Sequence, residues 1–362
     1  MQVSYDPQTF LRQRNGGISR LFADLISFYD QEPSFGITVN LPLSISNNTY
    51  LTKELPHRSI KQTPTWVPRS VLYSMWWLLG NQFAQQTDLV HHTYYDKRFL
   101  SFYPRSLRVV TVYDMIPEKL VETSGFTGSH LDKFEYVRRS DLVICISEST
   151  RSDMFEIYGD IDAHSVVIPL AVGSGFKPGL PAIPGWPGEY LLYVGKRGGY
   201  KDFHILPEVL AELRAIGLEI PLVAVGQRFS RDEKSALRTH KVEDLVTCVR
   251  LDDTALKSAY ANATAIVQTS SYEGFGLTPL EGMASGKPVV IAKSSSMPEV
   301  GGDVARYFRP GDSTSLAATL AEVLSDDAQR DYLGSQGILR AQEFTSQLLA
   351  ERTAAAYQTI AS

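Results

Sequence analysis

Short, unbroken runs of apolar and β-branched residues, several closed by a glycine and followed by an amphipathic stretch, restrict the fold of this chain more than any other feature. In the second half these runs are YLLYVG (190–195), PLVAVG (221–226), TAIVQT (264–269) and PVVIA (288–292). In the first half they are VVTVYD (109–114), LVICIS (142–147) and VVIP (166–169). A strand with one wet face alternates apolar and polar residues. An unbroken apolar run suits a parallel strand covered by helices on both faces. Helical patterns such as DFHILPEVLAELRAI (202–216) lie between the runs, and strand–helix alternation of this kind predicts an α/β chain of doubly wound parallel sheets.

The chain has 362 residues, which at ~100–200 residues per domain leads us to expect two domains. The clearest boundary is GSGFKPGLPAIPGWPGE (173–189), with four prolines and five glycines in seventeen residues. That mixture of locked and permissive backbone suits a linker. We therefore expect a first domain at 1–172, a linker at 173–189, a second domain at 190–340, and a C-terminal helix at 341–362 that packs back on the first domain. The net charge of −5 gives no basic footprint for nucleic acid. Cys145 and Cys248 sit in apolar runs without metal or disulfide spacing, and read as buried small hydrophobes. MQVSYDPQTF does not read as a secretion signal, so a cytoplasmic protein is expected. VLYSMWWLLG (71–80) falls short of the ~18 residues of a membrane span. The stretch 69–83, with Trp76 and Trp77, is expected to be a buried helix; the competing reading is peripheral contact with a membrane that carries a lipid-linked acceptor.

Two segments carry the densest chemistry. In SSYEGFGLTPLEGMASGKPVV (270–290) a strand runs into a glycine-rich turn and then a helix. Such turns lie at the carboxyl edge of a parallel sheet, where ligands bind. Gly274 and Gly276 let backbone approach a ligand, and the amides of Phe275, Gly276 and Leu277 suit a sugar or phosphate at a helix N-terminus. Thr278, Pro279 and Glu281 have the spacing of a capping box, which gives Glu281 a structural reading. The other reading has its carboxylate accept hydrogen bonds from a ribose diol. Glu273 precedes the helix, where a charged acceptor suits sugar hydroxyls. The second segment, YVGKRGGYKDF (193–203), sets Lys196, Arg197 and Lys201 after a strand. Fixed cations there would stabilise charge building on a departing phosphate.

Two glutamates eight residues apart around GFGL, followed by EGMASGKPVV and MPEV, resemble the signature of retaining glycosyltransferase family 4. The resemblance implies the GT-B fold: two facing Rossmann-like domains, the first on the acceptor side and the second binding the nucleotide sugar. It further implies a nucleoside-diphosphate-sugar co-substrate with no other cofactor and no metal, transfer with retention, and a saccharide or glycolipid acceptor. GDP-mannose is the donor we expect. Glu281 would then hold the ribose, Glu273 the donor sugar, and Lys201 with Lys196 or Arg197 the phosphates. Asn15, Gly16 and Gly17 in RQRNGGISRLFADL resemble the family's N-terminal glycine loop, which faces the donor.

One departure stands out. The family often carries His-Asp after the strand of TVYDMIPE, where this chain has Tyr113 and Asp114. Asp114, with His91 and His92 of LVHHTYYDKRFL, is assigned to the acceptor side; a satisfied loop histidine is the competing reading. Ser147, Glu148 and Thr150 are expected to cap a helix. Two rival functions remain, a sugar phosphorylase using free phosphate and a degenerate, non-catalytic nucleotide-sugar binder. A Rossmann dehydrogenase is disfavoured, because the first turn reads NGGISR and not G-x-G-x-x-G.

Overall fold

A computed structural model describes residues 1–361 except 44, 59, 64, 65, 84–86 and 121–131; for 54, 69 and 79–83 it describes the backbone alone. Of the described residues, 1–171 and 346–361 form one compact unit and 172–345 the other. The segment 173–189, expected as a linker, is thus counted with the second unit, as are 342–345. The final helix begins at Ser346, because the preceding one, Asp327–Ala341, stops at the end of its own apolar face.

The first unit is built on a six-stranded parallel sheet. Its elements are β1 (Gln2–Tyr5), β2 (Thr38–Asn40), β3 (Ile45–Ser46), β4 (Lys61–Gln62), β5 (Leu89–His92), β6 (Leu107–Val112), β7 (Leu142–Cys145) and β8 (His164–Val167). The order is β2-β1-β5-β6-β7-β8, with β3 and β4 forming a separate small pair. Four helices matter below: α1 (Gln8–Arg12), α2 (Gly17–Gln31), α3 (Thr49–Glu54) and α4 (Arg69–Phe83). Strand β7 is buried along its whole length, as its unbroken apolar run requires, and so is β5, although it ends in His91 and His92. Ser147 caps the next helix as expected, its Oγ accepting from the Thr150 N–H at 3.0 Å.

The C-terminal helix, Ser346–Ala361, closes this unit. Tyr357 is buried, and its hydroxyl meets Tyr5 Oη at 3.1 Å and His91 Nδ1 at 2.6 Å. Tyr29 Oη donates to the carbonyl of Ala350 at 2.8 Å. The helix therefore completes the core formed by Tyr5, Phe22 and His91 and is no appended tail.

The second unit holds β9 (Leu191–Val194), β10 (Leu222–Val225), β11 (Val246–Val249), β12 (Ala265–Gln268), β13 (Val289–Ala292) and β14 (Arg306–Phe308). Their order is β11-β10-β9-β12-β13-β14, parallel throughout. The order reverses between β9 and β12, which opens a crevice beyond their carboxyl ends. Leu206–Ala215 lays Leu206, Val209, Leu210 and Leu213 on the sheet; each such side chain contributes ~1.5–3 kcal/mol when fully buried. On another helix, Leu277–Ala284, Gly282 lies so close to the sheet that a Cβ there would come within 2.6 Å of Ile266 and 2.9 Å of Val289.

The expectation of a buried helix at 69–83 needs correction. Leu72, Tyr73 and Trp76 of α4 are buried, but Val71, Met75, Trp77 and Leu78 are exposed. Of the described side chains of α4, those on one side alone enter the core.

Candidate functional site

The loops after β9 and β12 meet at the switch point and are tied together. Ser271 N–H donates to the Tyr200 carbonyl at 2.9 Å, and Thr269 Oγ1 donates to the Lys201 carbonyl at 2.6 Å. Across this seam Lys201 Nζ donates to Glu273 Oε1 at 2.5 Å, with each side chain 16% exposed. Gln268, the last residue of β12, donates from Nε2 to the same oxygen at 2.8 Å and to Ser270 Oγ at 2.7 Å. A cation and an acid that are 72 residues apart in sequence therefore share one point of the crevice.

The loop after β13 holds this turn from the other side. Ser295, at φ 42°, accepts the Glu273 N–H on its Oγ at 2.9 Å. Ser296 Oγ lies 2.9 Å from the Glu273 carbonyl and 2.6 Å from that of Phe275. A non-glycine residue in the left-handed region is a small store of strain, and it sits where the carboxylate must be aimed. Gln268, Ser295 and Ser296 were not singled out in the sequence. A glutamine ending an otherwise apolar strand was the available signal.

Glu281 is buried on the helix Leu277–Ala284, which opens from the same turn. The capping-box reading of this segment fails. Gly276, at φ 128°, is the N-cap, and the helix starts at Leu277 with no side-chain cap. Thr278 is then the second helical residue, and Glu281 lies too far into the helix to reach back to the cap. Gly274, Phe275 and Gly276 are buried, while Leu277 and Thr278 are half-exposed.

The three basic residues separate. Lys196 is exposed and Lys201 is paired with Glu273. The Arg197 side chain, 6% exposed, turns toward Glu233: its Nε donates to Oε1 at 2.6 Å, and Nη2 donates to the Gln227 carbonyl at 2.6 Å. Its guanidinium stacks on Phe229, 4.7 Å from the ring centroid. Arg197 is therefore engaged within its own domain, and of the two alternatives for the second phosphate cation Lys196 is the exposed one. Burial raises the Glu233 carboxyl, but hydrogen bonds from Arg197 and the Ser230 N–H hold it below the usual range. A cavity of about 960 Å³ opens here, lined by Lys196, Arg197, Gly226, Arg228 and Glu233. Cys248, expected to be buried, is half-exposed beside it and donates from Sγ to the Gln227 carbonyl at 2.8 Å.

In the first unit α1 stands between β1 and the glycine turn, so NGG does not directly follow the first strand. Gly16 is the N-cap of α2, and Gly17 is exposed. The histidines assigned to the acceptor side are both buried. His91 meets Tyr357 at Nδ1 and Thr111 Oγ1 at Nε2, 2.8 Å away, so both ring nitrogens are satisfied in the core. Burial lowers its pKa to about 3. His92 Nδ1 lies 2.7 Å from Asp6 Oδ2. Asp6, unnoticed in the sequence, also accepts from Thr93 N–H at 3.1 Å and Gln8 Nε2 at 2.7 Å, joining the loops after β1 and β5. Tyr113 donates to the Thr93 carbonyl at 3.2 Å, and Asp114 is half-buried, its Oδ1 accepting from the Ile116 N–H at 3.0 Å. Among the described residues no three His, Cys, Asp or Glu side chains are grouped as a metal site.

Two parallel six-stranded sheets in separate units are the GT-B arrangement of glycosyltransferases. The crystal structure of HepE from Anabaena in complex with UDP and glucose superposes with a TM-score of 0.74 at 17% identity, covering 99% of this chain and 100% of that one. Residues 185–340 match the model of the "Glycosyl transferases group 1" family. O-antigen chain mannosyltransferase B of Escherichia coli is 28% identical over 256 residues, covering 63% of this chain and 65% of that protein. Glycogen synthase of Mycobacterium tuberculosis is 31% identical over 227 residues, covering 61% and 55%. The chain thus spans less than two thirds of the length of these relatives.

Proposed function

We propose that this protein is a retaining hexosyltransferase of glycosyltransferase family 4, moving mannose from GDP-mannose to a polysaccharide or lipid-linked saccharide. The observation that carries this reading is the meeting of Lys201 with Glu273 at the switch point, with Glu281 on the helix that opens from the same turn. The E. coli mannosyltransferase supports the choice of sugar.

In this reading Glu281 binds the ribose diol and Glu273 the hydroxyls of the donor sugar. Lys201 and the exposed Lys196 face the diphosphate. Phe275, Leu277 and Thr278 shape the turn around the donor. The bond from the anomeric carbon to the phosphate oxygen breaks, and the acceptor oxygen bonds to that carbon on the same face. The acceptor's proton passes to the leaving diphosphate, so no side-chain nucleophile is required. Removing one such charge-stabilising donor costs ~10²–10³ in turnover, the loss expected for Lys201→Ala.

The test is incubation with GDP-, UDP- and ADP-hexoses in excess EDTA, with and without saccharide acceptors. Release of nucleoside diphosphate and the configuration at the new bond are both read. Retained configuration and activity in EDTA support the reading. Release of a sugar 1-phosphate on adding orthophosphate would establish the phosphorylase alternative, and failure to bind any nucleoside diphosphate would overturn the transferase reading.

A further inference from the structure

The two sides of α4 differ in kind. Inward, Trp76 stacks on Phe99 with ring centroids 5.1 Å apart and donates from Nε1 to the Pro42 carbonyl at 2.8 Å. Outward, Val71, Met75 and Leu78 follow one another at i, i+4 and i+7, the spacing of a single helix face, and are 43%, 48% and 70% exposed. Trp77 is 38% exposed on the same helix, and Trp66, three residues before it, is 80% exposed. The sequence of α4 contains no carboxylate.

Cations border this face. Arg12 and Arg98, with Ser70, Tyr73 and Ser74, line a groove of about 350 Å³. The Arg98 guanidinium lies 5.9 Å from the Trp77 ring centroid and 5.2 Å from that of Tyr73; Arg12 lies 4.6 Å from that of Tyr94. Asp96 binds Arg98 and offsets part of this charge, and the neighbouring Lys97, its side chain 70% exposed, is offset in turn by Asp132 at 3.7 Å.

Single exposed apolar residues are ordinary on a protein surface. Four of them within two turns, with a tryptophan beneath a guanidinium, make the pattern of a helix lying in a lipid interface. Self-pairing of α4 about a two-fold axis would set the same arginines of two copies near one another, which disfavours a second copy as the occupant.

We propose that α4 docks the first domain on an anionic lipid bilayer, with Val71, Met75 and Leu78 among the acyl chains and headgroup phosphates at Arg12 and Arg98. This inference goes beyond the transfer reaction and stands independently of it.

The test is co-sedimentation of the full chain with vesicles of phosphatidylcholine, alone or mixed with phosphatidylglycerol. The protein is expected to partition onto the mixed vesicles, less so at high salt. M75Q/L78Q is expected to lower that partition by on the order of tenfold or more. Far-UV circular dichroism and thermal midpoint should not change, because both side chains are exposed. Wild-type protein left in the supernatant, equal binding to phosphatidylcholine alone, or a double variant that partitions like the wild type would each overturn the proposal. A wild-type dimer in light scattering that M75Q/L78Q abolishes, without vesicle binding, would assign the face to a second copy.

Discussion

Replacing Glu273 by glutamine removes one negative charge and little else. Its Oε1 accepts from Lys201 at 2.5 Å and Gln268 at 2.8 Å, and an amide oxygen in the same place still accepts both. With each partner 16% exposed, the ion pair lies between two regimes. Exposed pairs contribute ~0.2–1 kcal/mol, and breaking a fully buried pair costs ~3–5 kcal/mol. A value of about 2 kcal/mol is reasonable here, or about 30-fold in an equilibrium constant. A diphosphate that takes up Lys201 must first displace Glu273, so this energy is subtracted from nucleotide binding. E273Q should therefore bind GDP or UDP up to about 30-fold more tightly while transferring sugar on the order of 10–100-fold more slowly, since the sugar loses a charged acceptor. Lys201→Met should instead weaken nucleoside diphosphate binding. Calorimetric titration with the free diphosphates, beside turnover, reads both variants. Unchanged or weaker nucleotide binding by E273Q would refute the view that the pair is broken when donor binds.

Three further outcomes follow from the same geometry. Glu281→Gln should weaken nucleotide binding by about tenfold through loss of a charged acceptor for the ribose, as calorimetry would show. Gly282→Ala should destabilise the chain by ~1–3 kcal/mol in urea unfolding, because the new methyl meets Ile266 and Val289; in an open helix the same change would stabilise. His91 has a folded pKa of about 3, below its unfolded value of ~6.5. Between these values the unfolded chain binds the extra proton, so His91 lowers stability as pH falls, by up to ~1.4 kcal/mol per unit. The slope of stability against pH between about 4 and 6 should flatten by that amount in His91→Gln, and equal slopes would contradict the buried, neutral ring.

The second sheet was largely legible in the sequence, because its central strands are continuous apolar runs flanked by glycine. Strands β1, β2 and β14 were harder to read: QVSY, TVN and RYF are short and partly polar, and only the assembled sheet shows them to be strands. The acids at 273 and 281 stood out from their place around the glycine turn, and a resemblance added their roles; no rule of spacing predicts that Lys201 would meet Glu273. The capping-box misreading has a definite cause. Thr-x-x-Glu satisfies a local rule, but Gly276 can take φ 128° and starts the helix one residue before Thr278. The choice between Lys196 and Arg197 stayed open in the sequence because Glu233, the partner of Arg197, lies 36 residues away on the helix Arg231–Thr239. The two readings of His91 stayed open in the sequence because Tyr357, which captures its Nδ1, lies 266 residues on.

That last separation has a consequence for biosynthesis. Residues 1–171 leave the ribosome long before the helix that covers Tyr5, Phe22 and His91. At ~5–20 residues per second, roughly 10–40 s pass before Tyr357 arrives. Throughout that interval the nascent first domain carries an open apolar seam. A premature stop codon anywhere in the second domain would leave the seam uncovered for good, turning a truncated chain into a client for chaperones and proteases.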